Sequence, residues 1–123
     1  MSPEMVLLTV RPVSAEVSII DVQGDMSVCA EQPLQDAYSQ AAEPNTSVII
    51  LNFSGLEYLN AWGISLLIRL LIQTRRQQRR LLAYTLSPHY RHLLNLTHLD
   101  QFIRISETEA EALEAAHALW ATT

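Results

Sequence analysis

Apolar and polar positions along the chain follow two periods, one typical of β-strands and one typical of α-helices. The run from residue 48 to residue 53 is β-branched, aliphatic and aromatic except for Asn52, which is the pattern of a short strand covered on both faces. From residue 64 to residue 72 apolar residues crowd together, with only Ser65 and Arg69 between them. This second pattern predicts a mostly buried helix that begins near Asn60, directly after the strand.

The rest of the chain predicts an initial hairpin followed by alternating helices and strands. The predicted strands cover residues 6–13, 17–22, 48–53, 81–86 and 102–105. The predicted helices cover residues 33–42, a segment from about 60, residues 88–96 and a segment that ends near 121. Gly24 and Asp25 are expected to end the second strand, and Ser106 with Glu109 has the spacing of a capping box before the last helix.

This order of elements predicts an α/β fold. We expect a mixed, mostly parallel sheet of about five strands, with an N-terminal hairpin and four helices packed on the sheet. At 123 residues the chain is long enough to bury roughly two-thirds of its unfolded surface, and no linker or repeat interrupts it. Residues 1–123 are therefore expected to form a single domain.

Composition excludes several classes of function. The formal net charge is −5, with eight basic against 13 acidic residues, which disfavours nucleic acid as a partner. The three glycines form no phosphate-binding loop, and no nucleophile–base pair, paired carboxylates or metal-ligand cluster stands out, so no enzyme, cofactor or metal is predicted. A single cysteine, no secretory leader and no run of ~18 apolar residues predict a cytoplasmic protein without membrane insertion.

Three segments together resemble a known family. They are Gly24–Asp25, residues 51–63 (LNFSGLEYLNAWG) and residues 87–102 (SPHYRHLLNLTHLDQF), and the central segment is the most specific. In these segments the chain resembles the STAS domain, the family of anti-sigma-factor antagonists and of the cytoplasmic domains of sulphate transporters. The resemblance implies the fold predicted above and a role in protein interaction, signal transduction and the regulation of transcription.

The turn at residues 60–63 departs from the family pattern. Family members usually have an aspartate, two Ser or Thr residues and a glycine, and an anti-sigma kinase phosphorylates one hydroxyl. Here the corresponding residues are Asn60, Ala61, Trp62 and Gly63, so we predict no phosphosite at the family position. Asn60 is expected to cap the helix without a charge, and Ser65 is the nearest alternative phosphosite.

Helical spacing predicts that Trp62 shares one polar stripe with Ser65, Leu66 and Arg69. An exposed tryptophan among polar residues is typical of an interface anchor, although Trp62 could instead fold over the loop at residues 25–28. The resemblance places that loop beside the turn, where Asp25 either contacts a partner or caps its own turn. The predicted partner-binding residues are Asp25, Ser27, Asn60, Ala61, Trp62, Ser65, Leu66 and Arg69.

The partner predicted by the resemblance is an anti-sigma factor, another kinase-like protein or a phosphatase-linked regulator. A homodimer through Trp62 and Leu66 is a variant of this hypothesis. The alternative is a STAS subunit or scaffold of a membrane transport or multi-protein signalling assembly. The arginines at positions 75, 76, 79 and 80 favour a solvated helix end, with an acidic partner or a lipid headgroup as the alternative.

Overall fold

One five-stranded sheet organises the molecule. The computed structural model describes residues 5–121. The strands are β1 (Val6–Pro12), β2 (Val17–Met26), β3 (Val48–Leu59), β4 (Arg80–Tyr84) and β5 (Arg104–Ser106). They lie in the order β1-β2-β3-β4-β5, with β1 antiparallel to β2 and the other neighbours parallel. The mixed, mostly parallel sheet with an N-terminal hairpin is therefore confirmed.

Helices cover both faces of the sheet. They are α1 (Glu31–Ala41), α2 (Ala61–Arg76), α3 (Pro88–Leu96) and α4 (Glu109–Ala121), with short 3₁₀ segments at Val28–Ala30 and Leu99–Gln101. Alternate residues of β3 serve two cores: Ile49 and Leu51 pack with the apolar residues of α1 and α2, whereas Val48 and Ile50 pack with the alanines of α4. This two-sided burial explains the almost continuous apolar run in β3. No helix described within residues 5–121 is long and apolar enough to cross a membrane.

Strands β2 and β3 are longer than the sequence pattern predicts. Gly24 and Asp25 do not end β2; they lie inside it, because β1 pairs with Gly24 and β3 pairs with Asp25. Two register shifts between β2 and β3 interrupt the regular alternation of side chains there. The two strands consequently run together to Met26 and Leu59 and end at the same edge of the sheet.

The buried stripe of α2 corrects two expectations. It consists of Gly63, Leu66, Leu67, Leu70, Leu71 and Thr74. Leu66 is only 4 % exposed and belongs to the core, so its predicted place in an exposed stripe is wrong. Ile68, part of the apolar run that predicts a mostly buried helix, is 38 % exposed. The close contact of Gly63 with β2 determines which side of α2 faces the sheet. Leu66 consequently points toward the core and Ile68 points away from it.

Candidate functional site

The beginning of α2 lies directly against the end of β2. Gly63 makes this contact possible, because a Cβ atom at that position would lie 1.9 Å from the carbonyl oxygen of Met26 and 2.8 Å from Leu59 Cδ1. Only glycine therefore allows the first turn of the helix to approach the strand so closely. The exposed residues of that turn are consequently held at a fixed position beside the end of the sheet.

Asn60 caps α2 as the sequence predicts. Its backbone is extended, and its side-chain Oδ1 accepts a hydrogen bond of 2.9 Å from the backbone N–H of Gly63. Its carbonyl oxygen accepts the first helical bond, 3.0 Å from the N–H of Ile64. The amide thus satisfies one of the free N–H groups at the helix start without a charge. Asn60 is half-buried.

The two predicted partner-binding residues at the end of β2, Asp25 and Ser27, differ in exposure. Ser27 is 0 % exposed, which corrects its assignment to a partner-contacting surface. Its hydroxyl lies 3.6 Å from Cys29 Sγ, which in turn lies 3.5 Å from the carbonyl oxygen of Asp25. The Asp25 backbone N–H donates to the carbonyl of Met5, so this segment is tied back to the start of β1. Asp25 itself is half-buried at the edge of the site.

Three exposed apolar residues lie near the junction of β2, β3 and α2 in the chain. Trp62 is 48 % exposed, so about half of the indole surface remains available for a contact. Two further apolar residues are exposed next to this junction, Val28 just after β2 and Tyr58 near the end of β3. Val28 belongs to the loop at residues 25–28 that was predicted to take part in binding, whereas Tyr58 was not predicted. Tyr58 precedes the buried Leu59, and strand alternation would have indicated its outward direction had β3 been extended to that point.

The remaining predicted residues lie on the exposed side of α2. Ala61 and Ser65 are exposed, and the Ser65 hydroxyl donates a 2.6 Å hydrogen bond to the carbonyl of Trp62. Arg69 is also exposed, and its guanidinium forms a 2.9 Å ion pair with Glu31 on α1. The structure therefore brings Ala61, Trp62 and Ser65 together at the start of α2, while Arg69 links α2 to α1 one turn farther along.

Groups with a shifted pKa lie on another part of the sheet. Arg11 donates to Asp21 and to Glu109, and Asn52 also donates to Asp21. Hydrogen bonds from Arg11 lower the pKa of Asp21, and hydrogen bonds from Tyr84 and then Arg11 lower the pKa of Glu109. Burial, followed by the contact with Glu109, raises the pKa of Tyr84. Because Glu109 begins α4, this network fastens that helix to the sheet.

The junction combines exposed apolar and polar side chains. It presents an indole, a phenol ring, an aliphatic side chain and one hydroxyl around a capped helix start. In the part of the chain that the structure describes, no three His, Cys, Asp or Glu residues come close enough together to hold a metal ion. The arrangement suits the recognition of another molecule by shape and apolar contact.

Solved structures of other proteins share this architecture. An anti-sigma factor antagonist from Mycobacterium paratuberculosis is 20% identical, with a TM-score of 0.78 over 94% of this chain and 97% of that one. A sulfate transporter family protein from Wolinella succinogenes is 19% identical, with a TM-score of 0.78 over 90% of this chain and 93% of that one. The Bacillus cell fate determinant SpoIIAA in its phosphorylated form is 21% identical, with a TM-score of 0.70 over 89% and 98%.

The fold is that of a class of small α/β domains to which solved anti-sigma factor antagonists belong. The model of the STAS domain matches residues 9–112, which is most of the chain. The chain therefore belongs to the STAS domain family. The resemblance inferred from the central sequence segment is confirmed.

Proposed function

We propose that this protein is a non-catalytic interaction module that binds a regulatory protein through the start of α2. The binding surface, which we call the Trp62 surface, consists of Val28, Tyr58, Ala61, Trp62 and Ser65. The observation that carries the proposal is the half-exposed indole on a helix start that a glycine contact and an asparagine cap hold in place. A rigid, exposed aromatic residue loses little entropy on binding and is the commonest kind of interface anchor.

The kind of partner follows from the family. Because anti-sigma factor antagonists are among the proteins with the same fold, we propose an anti-sigma factor, another kinase-like protein or a phosphatase-linked regulator. Asp25 contributes the polar rim of the interface, and Asn60 acts by positioning the turn. The binding is proposed to need no metal or cofactor, since the recognising groups are apolar side chains and backbone N–H groups.

We further propose that phosphorylation at residues 61 and 62 does not control this binding. Ala61 and Trp62 occupy the first two positions of α2, and neither side chain carries an oxygen that accepts phosphate. The phosphate niche at a helix start, where free N–H groups favour an anion, therefore has no attachment point at these positions. Ser65 is exposed and remains the alternative site of modification.

A second candidate function is that of a subunit or scaffold in a membrane transport assembly. The observation that favours it is the equal similarity of the fold to a sulfate transporter family protein. The two candidates predict different partners for the same surface. They can therefore be separated by identifying the protein that the Trp62 surface binds.

The test is affinity capture from native lysate with the intact protein, a Trp62→Ala variant and a Leu96→Ala control. Leu96 is 63 % exposed at the C-terminal end of α3 and is not one of the residues of the Trp62 surface, so it matches the loss of an exposed apolar side chain. Trp62→Ala should weaken binding to the identified partner by ~2 kcal/mol or more, whereas Leu96→Ala should change little. Titration of the purified partner measures both values.

The identity of the captured protein decides between the candidates. A kinase-like or phosphatase-linked protein lost with Trp62→Ala supports the signalling module, and transporter subunits lost in the same way support the assembly subunit. Equal capture by all three forms contradicts both, because the interface would then lie elsewhere. If sedimentation shows a dimer that Trp62→Ala dissociates, the surface is a homodimer interface instead.

A further inference from the structure

Six of the eight basic residues, all of them arginines, are grouped toward the other end of the sheet from the Trp62 surface. They are Arg75, Arg76, Arg79, Arg80, Arg91 and Arg104. Strands β3, β4 and β5 begin at this edge, and α2 ends there. The 13 residues of α2 between Trp62 and Arg75 separate the two ends by about 20 Å. A ligand at this edge would therefore not touch the Trp62 surface.

Two adjoining cavities lie among these arginines. One has a volume of about 420 Å³ and includes Arg80, Arg91 and Arg104 in its lining. The other has a volume of about 440 Å³ and includes Arg75, Arg79 and Arg80. Because they share Arg80 and Leu119 as walls, they form one concave surface, which we call the arginine groove.

Among the described side chains, no carboxylate forms an ion pair with an arginine of the groove. The three ion pairs found among the described side chains, residues 5–119, involve only Arg11 and Arg69, which lie outside the groove. Within the groove, Arg79 donates to the backbone carbonyls of Thr46 and Glu43, at 2.9 Å each, so its position is fixed while its charge remains. Although the chain is acidic overall, the arginines of the groove form no ion pair with a described residue.

The lining of the groove also offers apolar contacts. Phe102 is 52 % exposed, and the Arg75 guanidinium lies 5.3 Å from the centre of its ring. Such a stacked guanidinium keeps its N–H groups free for an anion while the ring contributes apolar area. Asp100 is part of the same lining and disfavours a densely charged polyphosphate. A ligand with spaced carboxylates and apolar groups between them matches this lining of arginines and apolar side chains better than a polyphosphate does.

We propose that the arginine groove is a docking site for an acidic peptide segment of a partner protein, with apolar residues between its carboxylates. The guanidinium groups pair with the carboxylates, and Phe102 and the aliphatic wall receive the apolar side chains. The concave shape favours a chain segment over a flat bilayer surface. This site is independent of the Trp62 surface, and the two sites together would let the protein bridge two partners or two parts of one.

The test is fluorescence anisotropy with a labelled peptide of about eight residues that alternates glutamate and leucine. The intact protein should bind it, with an affinity that falls as salt is raised. The double variant Arg80→Gln, Arg104→Gln should weaken binding about tenfold or more. Neither side chain makes a hydrogen bond or ion pair with another described residue, so this variant should fold normally.

The matched control removes two charges outside the groove, with Arg69→Gln and Arg76→Gln on α2. It should bind within about twofold of the intact protein, because neither side chain lines the groove and exposed charges outside it contribute only weakly. No binding of the peptide, or equal weakening by both double variants, would overturn the proposal. Binding of phosphatidylglycerol vesicles that requires Arg80 and Arg104, without binding of the peptide, would also overturn it in favour of a membrane surface. The Trp62→Ala variant should bind the peptide normally, which separates this test from that of the Trp62 surface.

Discussion

Gly63 shows how one residue without a side chain positions the whole site. In an unobstructed helix, glycine to alanine is stabilising by about 1 kcal/mol, because alanine has the higher helix propensity. Here the added methyl group would overlap the carbonyl oxygen of Met26. Gly63→Ala should therefore destabilise the protein by about 1–3 kcal/mol, the usual cost of overpacking. Urea unfolding measures the sign of the change.

The control for this prediction is Ser65→Ala on the exposed side of the same helix. It should change the unfolding free energy by less than about 0.5 kcal/mol. A Gly63→Ala variant as stable as the intact protein would show that α2 can move away from β2. In that case the proposed rigidity of the Trp62 surface would be wrong.

Asn60 provides a second prediction at the scale of a residue. Asn60→Ala removes the 2.9 Å bond to the N–H of Gly63 and should cost about 1 kcal/mol of unfolding free energy. Asn60→Asp should preserve or slightly raise stability, because a carboxylate accepts the same bond and complements the helix dipole. Thermal unfolding of both variants checks this. A loss of equal size in both variants would contradict the capping role.

Individual residues were predicted correctly where local chemistry decides them. The cap by Asn60 depends on a bond that spans three residues, and the exposure of Trp62 follows from the polar neighbours on its side of the helix. The sequence was misleading for Leu66 and Ser27, because their burial depends on how α2 and the loop meet β2. That contact joins segments far apart along the chain and leaves no local pattern.

At the scale of elements, α4 depends on a polar network as well as on its alanines. Glu109 in its first turn accepts bonds from Tyr84 on β4 and Arg11 on β1. The pKa values of Asp21 and Glu109 are both lowered in the folded protein. A lowered carboxyl pKa stabilises the fold above the pKa of the unfolded chain, and this stability is lost as pH falls through the folded pKa.

We therefore predict that unfolding free energy decreases from about pH 5 toward pH 3, and that Arg11→Met makes this decrease shallower. Removing Arg11 takes away hydrogen bonds that lower both pKa values, so fewer protons are taken up on acid unfolding. Arg69→Met is the matched control, because it breaks an exposed pair of small energetic weight. Urea titrations at several pH values give the slopes. Identical slopes for the intact protein and Arg11→Met would contradict the role of the network.

The order and type of the elements could be predicted, but several of their ends could not. The spacing of apolar residues and the turn residues identify the five strands and four helices, and α3 has the predicted bounds, Pro88–Leu96. The start of α4 differs: Thr108, and not Ser106, accepts from the N–H of Glu111, since Ser106 belongs to β5. Strand ends are set by pairing with distant partners, as in β2 beyond Gly24.

At the scale of the molecule, the two proposed binding sites lie at opposite ends of the parallel strands. The Trp62 surface is at the carboxyl edge of β2 and β3, and the arginine groove is at the amino edge of β3, β4 and β5. The Trp62 surface could be predicted from the family motif in the sequence. The arginines at 75–80 could be predicted as a cluster because they are close together along the chain. The addition of Arg91 and Arg104 to that cluster required the fold, because they come from separate segments.

The central claim is that a regulatory protein binds at Trp62, and site-specific crosslinking tests it most directly. A photoreactive phenylalanine derivative is incorporated in place of Trp62 in one sample and in place of Leu96 in another, and both are irradiated in native cells. We predict a crosslinked product with a kinase-like or phosphatase-linked protein from position 62 and none from position 96. No product from position 62, or the same product from both positions, would contradict the account.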